Sequence, residues 1–147
     1  MALAVRRSLR FHGFSLACFA CALWPTCLTG QETIVNQSLA PRELTQNEAR
    51  LYFGMRRRLW ADGQPVKIYV LPDDHPLHIA FAKDLLGLFP SQLRTGWDRQ
   101  IFSGTGQAPT TVANEEEMIR RVASTPGAIG YVSKLPKDPR VRMLEVR

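Results

Sequence analysis

Two acidic residues and two histidines lie within a short central segment, Asp73, Asp74, His75 and His78. Carboxylate oxygens and imidazole nitrogens are ligands for divalent metals, and two histidines three residues apart lie on one face of a helix. The same residues also fit an acidic helix cap followed by surface histidines, because Asp is a preferred N-cap and Pro76 suits the first helical position. We favour the cap, since caps are far commoner than metal sites. We therefore expect no metal and no cofactor, with a metal-dependent hydrolase as the weakest alternative.

A second candidate site is the glycine-rich loop Ser103-Gly104-Thr105-Gly106. Its glycines permit a concave arrangement of backbone N–H groups, which binds anions. Arg94 and Arg99 lie just upstream and could supply positive charge. The loop therefore predicts an oxyanion site that includes Arg94, with an ordinary glycine-rich connection as the alternative.

Nucleophilic catalysis has little support in this sequence. After residue 30 the only histidines are His75 and His78, and no cysteine remains. No Ser-His-Asp or Cys-His arrangement is indicated, so we expect a protein that is not an enzyme.

The first thirty residues have the pattern of an export signal. Three arginines within the first ten residues precede an uncharged, mostly apolar run at 14–23, and small residues follow it. This order is typical of a secretory signal, and the run is shorter than the roughly 20 residues of a membrane span. We therefore expect 1–30 to be a cleaved signal peptide. The remainder, 31–147, is then a single periplasmic domain that does not span the membrane.

The predicted signal also changes the composition of the remaining domain. All three cysteines and three of the 19 basic residues lie in 1–30, which contains no acidic residue. The rest has 16 basic and 13 acidic residues, so its net charge is +3 and it forms no disulfide. A nucleic-acid-binding function therefore has little support.

Short β-type runs alternate with helical patterns along the predicted domain. The predicted strands are 33–36, 66–71, 128–133 and 141–146. Helices are predicted from Thr45 to Phe53, after Pro76, after Pro90 and over 115–124. This alternation predicts an α/β fold with a small mixed sheet and about four helices.

Local signals mark the ends and the buried faces of these helices. Thr45 with Glu48, and Asn114 with Glu117, have the spacing of capping boxes. Gly54 is predicted to end the first helix in the left-handed conformation. On the third helix, the spacing of Leu93, Trp97 and Ile101 predicts one buried stripe.

Three segments occur in a specific order along the chain. Residues 51–63 combine LYFG, three arginines, Trp60 and Asp62-Gly63, and the strand and loop VKIYVLPDDHP follow at 66–76. The segment TPGAIGYV comes last, at 125–132. In this order the segments resemble the phosphate-type periplasmic binding proteins of ABC transporters, one of whose motifs 125–132 nearly repeats. The resemblance covers about 33–133.

This resemblance implies one lobe of a type 2 periplasmic-binding-protein fold. In the family two α/β lobes close over a tetrahedral oxyanion, and one lobe is inserted between two hinge strands. This chain resembles the inserted lobe, with Ile34-Val35-Asn36 and Gly130-Tyr131-Val132 at the positions of the hinge strands. The other lobe has no counterpart in the sequence.

The resemblance also shows where this chain departs from the family. There an Arg and a Ser-Gly-Thr loop hold the anion at a helix start, after the strand that corresponds to 66–71. Here that position reads Leu71 to Pro76, and Asp73, Asp74 and His75 stand at the helix start. Carboxylates there repel a phosphate and occupy the helix N–H groups.

Two functions follow from the resemblance. The first is a periplasmic solute-binding-like domain that binds an oxyanion such as phosphate weakly, through Ser103–Gly106 and Arg94. The alternative is an envelope protein-interaction or sensor-partner module that has lost its ligand. A homodimer is a further predicted arrangement. Arg56-Arg57-Arg58 form either a solvated run or a contact for an acidic partner or anionic lipid.

Overall fold

The computed structural model describes residues 30–40, 42–104 and 106–147. The predicted signal peptide lies outside the described residues, apart from Gly30. Within them the strands are β1 (Glu32–Asn36), β2 (Glu43–Leu44), β3 (Lys67–Val70), β4 (Thr110–Thr111), β5 (Ala128–Val132), β6 (Val141–Met143) and β7 (Glu145–Val146). The α-helices are α1 (Gln46–Phe53), α2 (Pro76–Ala80), α3 (Pro90–Phe102) and α4 (Glu115–Ser124), with a π-helical turn over Phe81–Leu85.

The main sheet of the described residues has five strands in the order β4-β3-β5-β1-β6. Strand β3 is parallel to β4 and β5, whereas β1 is antiparallel to β5 and β6. Strands β2 and β7 form a separate parallel pair. The predicted α/β fold with a mixed sheet and four helices is therefore confirmed.

The two predicted hinge segments are direct neighbours in this sheet. Ile34 of β1 lies opposite Gly130 of β5. Asn36 is buried, and its Nδ2 donates to the carbonyls of Val122 and Ala123 at 2.8 and 3.0 Å. This amide fixes the end of β1 to the last turn of α4.

Aromatic side chains fill the space between the sheet and the helices. Tyr131 stacks on Phe81 with ring centroids 3.9 Å apart, and Phe53 meets the edge of Phe81 at 4.7 Å. Trp60 and Trp97 are buried, and their indole N–H groups donate to the carbonyls of Gly127 and Phe53. Both tryptophans therefore belong to the core, as buried indoles with satisfied N–H groups do.

The first capping box is confirmed, and the cap at the other end of α1 differs from its prediction. Thr45 accepts from the Glu48 N–H, and Glu48 accepts from the Thr45 N–H. Gly54 has φ −77°, so its predicted left-handed conformation is wrong, and Met55 takes the positive φ of 58°. A Cβ at Gly54 would lie 2.6 Å from the Arg50 carbonyl oxygen, so this glycine is required by close approach.

The second capping box is confirmed in one of its two bonds. Asn114 accepts from the Glu117 N–H, but the Glu117 carboxylate accepts from Ala113 N–H instead of Asn114. On α3, Leu93 and Trp97 are buried as predicted, whereas Ile101 is 43% exposed. The stripe ends early because the last turn of α3 extends beyond the core.

The predicted last strand is divided in two. Leu144 is buried between β6 and β7, and its N–H donates to the Thr33 carbonyl at 2.8 Å. The chain therefore changes from the main sheet to the small one at this residue. No helix among the described residues is long and apolar enough to cross a bilayer.

Candidate functional site

The first candidate site, in the segment from Asp73 to His78, follows strand β3 at one end of the sheet. Strands β3, β4 and β5 are parallel, so all three end at the same edge, which we call the carboxyl edge. Helix α2 begins there after β3, and α4 begins there after β4. Strand β1 starts at the same edge, since Glu32 lies opposite Val132. In parallel α/β sheets this edge is the usual location of ligand sites.

The loop that follows β3 contains a bidentate ion pair. Arg94 of α3 donates from Nε to Asp73 Oδ2 at 2.8 Å and from Nη2 to Oδ1 at 2.7 Å. The hydrogen bonds from Arg94 lower the pKa of the Asp73 carboxyl, and those to Asp73 raise the pKa of Arg94. The guanidinium also lies over the Trp97 ring at 5.0 Å. The arginine that the sequence assigned to the glycine-rich loop is therefore paired with the acidic loop.

The start of α2 has few backbone donors left for an anion. His75 is its N-cap, and its Nδ1 accepts from the Leu77 N–H at 3.2 Å. The His75 N–H donates to the Pro72 carbonyl at 2.9 Å. Pro76 has no N–H, so the donors that make a helix start attractive to anions are largely used. The predicted cap is thus present, with His75 in the capping position instead of an aspartate.

His78 lies in the core behind this loop and does not join a surface cluster. Its side chain is fully buried, and its Nδ1 is hydrogen-bonded to the Tyr131 hydroxyl. That hydroxyl accepts from the Leu71 N–H at 2.9 Å, so its own proton is directed to His78 Nδ1. His78 is then neutral with its proton on Nε2, and that atom has no hydrogen-bond partner among the described residues.

Burial acts on both members of this pair. Desolvation lowers the pKa of His78 and, in the tyrosine, raises the pKa of the Tyr131 hydroxyl. Both shifts favour the neutral forms. Among the described residues no three metal-ligating side chains come together. Asp73, His75 and His78 each have a different structural partner, so the structure does not bring the predicted metal ligands to one point.

The other candidate loop forms the C-terminal cap of α3. The N–H groups of Ser103, Gly104 and Gly106 donate to the carbonyls of Arg99, Ile101 and Gln100. Gly104 has φ 68°, as expected of the residue after a helix C-cap. Thr105 lies outside the described residues. A helix C-terminus is the negative end of the helix dipole, so this position does not favour anions.

Arg94 and the glycine-rich loop lie at different levels of one helix. Nine residues separate Arg94 from Ser103, which corresponds to about 13 Å along the helix axis. The structure therefore places Arg94 beside Asp73 at the carboxyl edge, and Ser103, Gly104 and Gly106 at the far end of α3. The predicted oxyanion role of Ser103, Gly104, Thr105 and Gly106 stays a prediction.

The sequence does not indicate a contact between the first turn of α4 and the residue that follows β5. Glu115 Oε2 accepts from the Ser133 N–H at 2.7 Å and from the Ser133 hydroxyl at 2.8 Å. An acidic first turn was visible in the sequence as three consecutive glutamates, but the approach of Ser133 depends on strand order. With His75 and Asp84, these residues line a cavity of about 500 Å³ at the carboxyl edge. The acidic side chains there do not favour a phosphate.

Solved structures of phosphate-transport proteins share this fold. An ABC-type phosphate transport receptor from Vibrio cholerae has a TM-score of 0.59 and 15% identity, over 80% of this chain and 46% of its own. A Clostridium perfringens protein is described as a phosphate ABC transporter substrate-binding protein with bound phosphate. It has a TM-score of 0.63 and 16% identity, over 80% of this chain and 44% of its own. PstS from Borrelia burgdorferi has a TM-score of 0.59 and 15% identity, over 79% of this chain and 46% of its own. No family profile and no curated protein sequence matches the chain.

These comparisons identify the class of fold. The chain has the fold of one lobe of phosphate-type solute-binding proteins, as its motif order predicted. It spans less than half the length of the solved structures it matches. Those structures are of substrate-binding transport proteins, and the likeness concerns the fold alone.

Proposed function

We propose that this protein is a solute-binding-protein-like lobe that works in the periplasm as a non-catalytic interaction module. Its partner is another envelope protein, not a phosphate ion held at the loop 71–76. Periplasmic location rests on the predicted signal at 1–30, and the interaction role rests on the carboxyl edge.

The observation that carries this proposal is the Asp73–Arg94 pair. A guanidinium that binds a phosphate must offer its N–H groups to the oxygens of the ligand. Both Nε and Nη2 of Arg94 are already bonded to the Asp73 carboxylate. A phosphate could take this bidentate edge only by displacing the carboxylate, and at the remaining N–H groups of Arg94 it would lie beside a negative charge.

The neighbouring helix start strengthens the argument. The His75 imidazole accepts the Leu77 N–H, and Pro76 supplies no donor. Asp74 adds a second carboxylate to the same loop. Weak oxyanion binding at Ser103–Gly106 has less support, because three of its N–H groups serve as the cap of α3.

Titration calorimetry of the purified protein with phosphate and sulfate tests the proposal. We expect no saturable heat with either ion. Micromolar phosphate binding that disappears in Arg94→Gln would contradict the proposal and restore the solute-binding interpretation. The exposed Arg120 provides the matched control, because Arg120→Gln removes the same charge from α4.

A homodimer is a specific alternative for the partner. Strand β1 starts and β5 ends at the carboxyl edge, so a second lobe of the kind implied by the resemblance would face that edge. Sedimentation equilibrium distinguishes the two partners: a concentration-dependent dimer supports the homodimer, and a single monomer mass rejects it.

A further inference from the structure

A groove lies between the end of α1 and the outer face of α3. It consists of two adjoining cavities of about 260 and 320 Å³ that share Arg56, Gln92 and Gly96 in their linings. Leu51, Leu88 and Leu93 line the first cavity, and Arg99 lines the second. The first cavity is therefore the more apolar of the two, and each cavity is lined by two arginines, with Arg56 common to both. We call it the α1–α3 groove.

Two of the three arginines that line the groove, Arg56 and Arg99, have no carboxylate partner among the described residues. Arg57 approaches Glu48, Arg94 is bonded to Asp73, and Arg121 to Glu117. Within the described part of the chain, neither Arg56 nor Arg99 has a carboxylate within ion-pair distance. Both side chains are exposed, so their donors are available to a ligand.

Arg50 lines the first cavity but is engaged within the protein. Its guanidinium donates to the Leu86 carbonyl, to Gln46 Oε1 and to Asn47 Oδ1. These partners are neutral, so Arg50 keeps its positive charge, but its N–H donors are used within the protein. The guanidinium donors that remain for a ligand in the groove therefore belong mainly to Arg56 and Arg99.

Gly96 lines both cavities of the groove, and the fold does not require a glycine there. Gly96 lies inside α3, where glycine is less favourable than alanine. A Cβ built on Gly96 would have no heavy atom within 4 Å, and its φ is not positive. Neither close packing nor backbone conformation explains this residue. The missing side chain at Gly96 leaves open space where the two cavities adjoin.

We infer that the α1–α3 groove binds a short acidic segment of a partner protein, with one apolar side chain beside Leu51, Leu88 and Leu93 and one or two carboxylates at Arg56 and Arg99. This inference rests on the proposed function and gives the chemistry of its partner. Arginine forms bidentate hydrogen bonds with carboxylates, which fits such a segment.

Two other occupants fit the groove less well. A free phosphate would leave the leucine-lined cavity empty. A bilayer surface is flat, whereas this groove is concave, and recognition of anionic lipids usually takes a cluster of about four to eight basic residues. A peptide chain fills both cavities at once.

Fluorescence anisotropy with a designed peptide set tests the inference. Each labelled peptide carries one leucine followed by no, one or two glutamates, and a matched series carries lysines in their place. We expect affinity to rise with each glutamate. Arg56→Glu and Arg99→Glu should each weaken binding of the acidic peptide by about tenfold or more. Gly96→Trp should abolish binding by filling the groove.

Matched variants separate the groove from general effects of charge and folding. Arg120→Glu makes the same charge change on the exposed face of α4 and should leave binding unchanged. Gly96→Ala adds one methyl group to open space and should retain the fold, as checked by circular dichroism. If Gly96→Trp does not fold, the two arginine variants still decide the result.

Several results would overturn the inference. The first is that the affinity does not depend on the number of glutamates, which includes the case in which no peptide binds. The second is an equal loss of affinity in Arg120→Glu. The third is full displacement of the peptide by inorganic phosphate. Anionic vesicles that bind the protein through Arg56 and Arg99 would assign the groove to a lipid surface instead. Amide chemical shifts keep the two proposals separate. Phosphate-induced shifts at Asp73 and Asp74 contradict the proposed function only, whereas peptide-induced shifts that leave the amides of the groove residues unchanged contradict the groove only.

Discussion

Arg94 and Asp73 form two parallel hydrogen bonds between α3 and the loop that follows β3, at 2.8 and 2.7 Å. The pair joins a cation to the loop where the resemblance to phosphate-type binding proteins implies the anion site. The chain thus supplies its own carboxylate at that position. This relationship is the basis for assigning the lobe a role other than phosphate binding.

Replacing Asp73 with Asn should destabilise the protein only slightly. The side chains of Asp73 and its partner Arg94 are both 38% exposed. Ion pairs with this exposure contribute up to about 1 kcal/mol to the free energy of unfolding. The pKa of Asp73 is lowered in the folded state, so its contribution is present above the unfolded value and is lost as the pH falls through the folded one. Urea unfolding of wild type and Asp73→Asn should therefore differ at pH 7 and converge at pH values below about 4. A difference that grows with acidification would contradict the assignment.

Removing the Tyr131 hydroxyl should have a much larger effect. Tyr131→Phe leaves the Leu71 N–H without an acceptor and His78 Nδ1 without a donor, both in the core. Each orphaned buried group costs about 1–3 kcal/mol, so the free energy of unfolding should fall by roughly 2–6 kcal/mol. Tyr69→Phe is the matched control. It loses one hydrogen bond, to Thr125 Oγ1, and should cost about 1 kcal/mol or less. Equal losses in both variants would show that the Tyr131 contacts carry no special weight.

Stability should depend on the protonation of His78. Burial lowers its pKa in the folded state, with a further lowering from the charges of Arg94 and His75 and an opposing effect from Asp73. The unfolded chain therefore binds a proton that the folded protein rejects once the pH falls below about 6.5. The free energy of unfolding should decrease from pH 7 toward pH 5, by at most about 1.4 kcal/mol per pH unit. His78→Gln should reduce this slope, and an unchanged slope would contradict a neutral buried His78.

Two glycine-to-alanine substitutions should change the stability of the protein in opposite directions. At Gly54 a Cβ would lie 2.6 Å from the Arg50 carbonyl oxygen, so Gly54→Ala should destabilise the protein by about 1–3 kcal/mol. At Gly96 nothing lies within 4 Å, so Gly96→Ala should stabilise α3 by about 0.5–1 kcal/mol. Thermal unfolding of the two variants measures both effects. Stabilisation by Gly54→Ala, or destabilisation by Gly96→Ala, would contradict the packing described here.

Local signals allowed much of the fold to be predicted. The Thr45–Glu48 box and the start of α2 at Pro76 depend only on residues within one helical turn. The strands β3 and β5 were also predicted within one residue at each end. Such features follow from backbone hydrogen bonding and hydrophobic periodicity over short distances.

The features that depend on tertiary packing were predicted less well. The exposure of Ile101 depends on where the core ends along α3. At the end of α1 the left-handed residue is Met55, whereas Gly54 is required by its close approach to the Arg50 carbonyl. Residues 141–146 divide into two strands because each half pairs with a different partner. The Asp73–Arg94 pair joins residues 21 positions apart, which sequence spacing does not predict.

A phosphate titration of the isotope-labelled protein, followed by amide chemical shifts, tests most directly whether this lobe binds phosphate at the loop 71–76. We expect no saturable shift at Asp73, Asp74 or His75 up to millimolar phosphate, because the Asp73 carboxylate already binds the Arg94 guanidinium. Saturable shifts at these three amides with a micromolar dissociation constant, lost in Arg94→Gln and retained in Arg120→Gln, would contradict it.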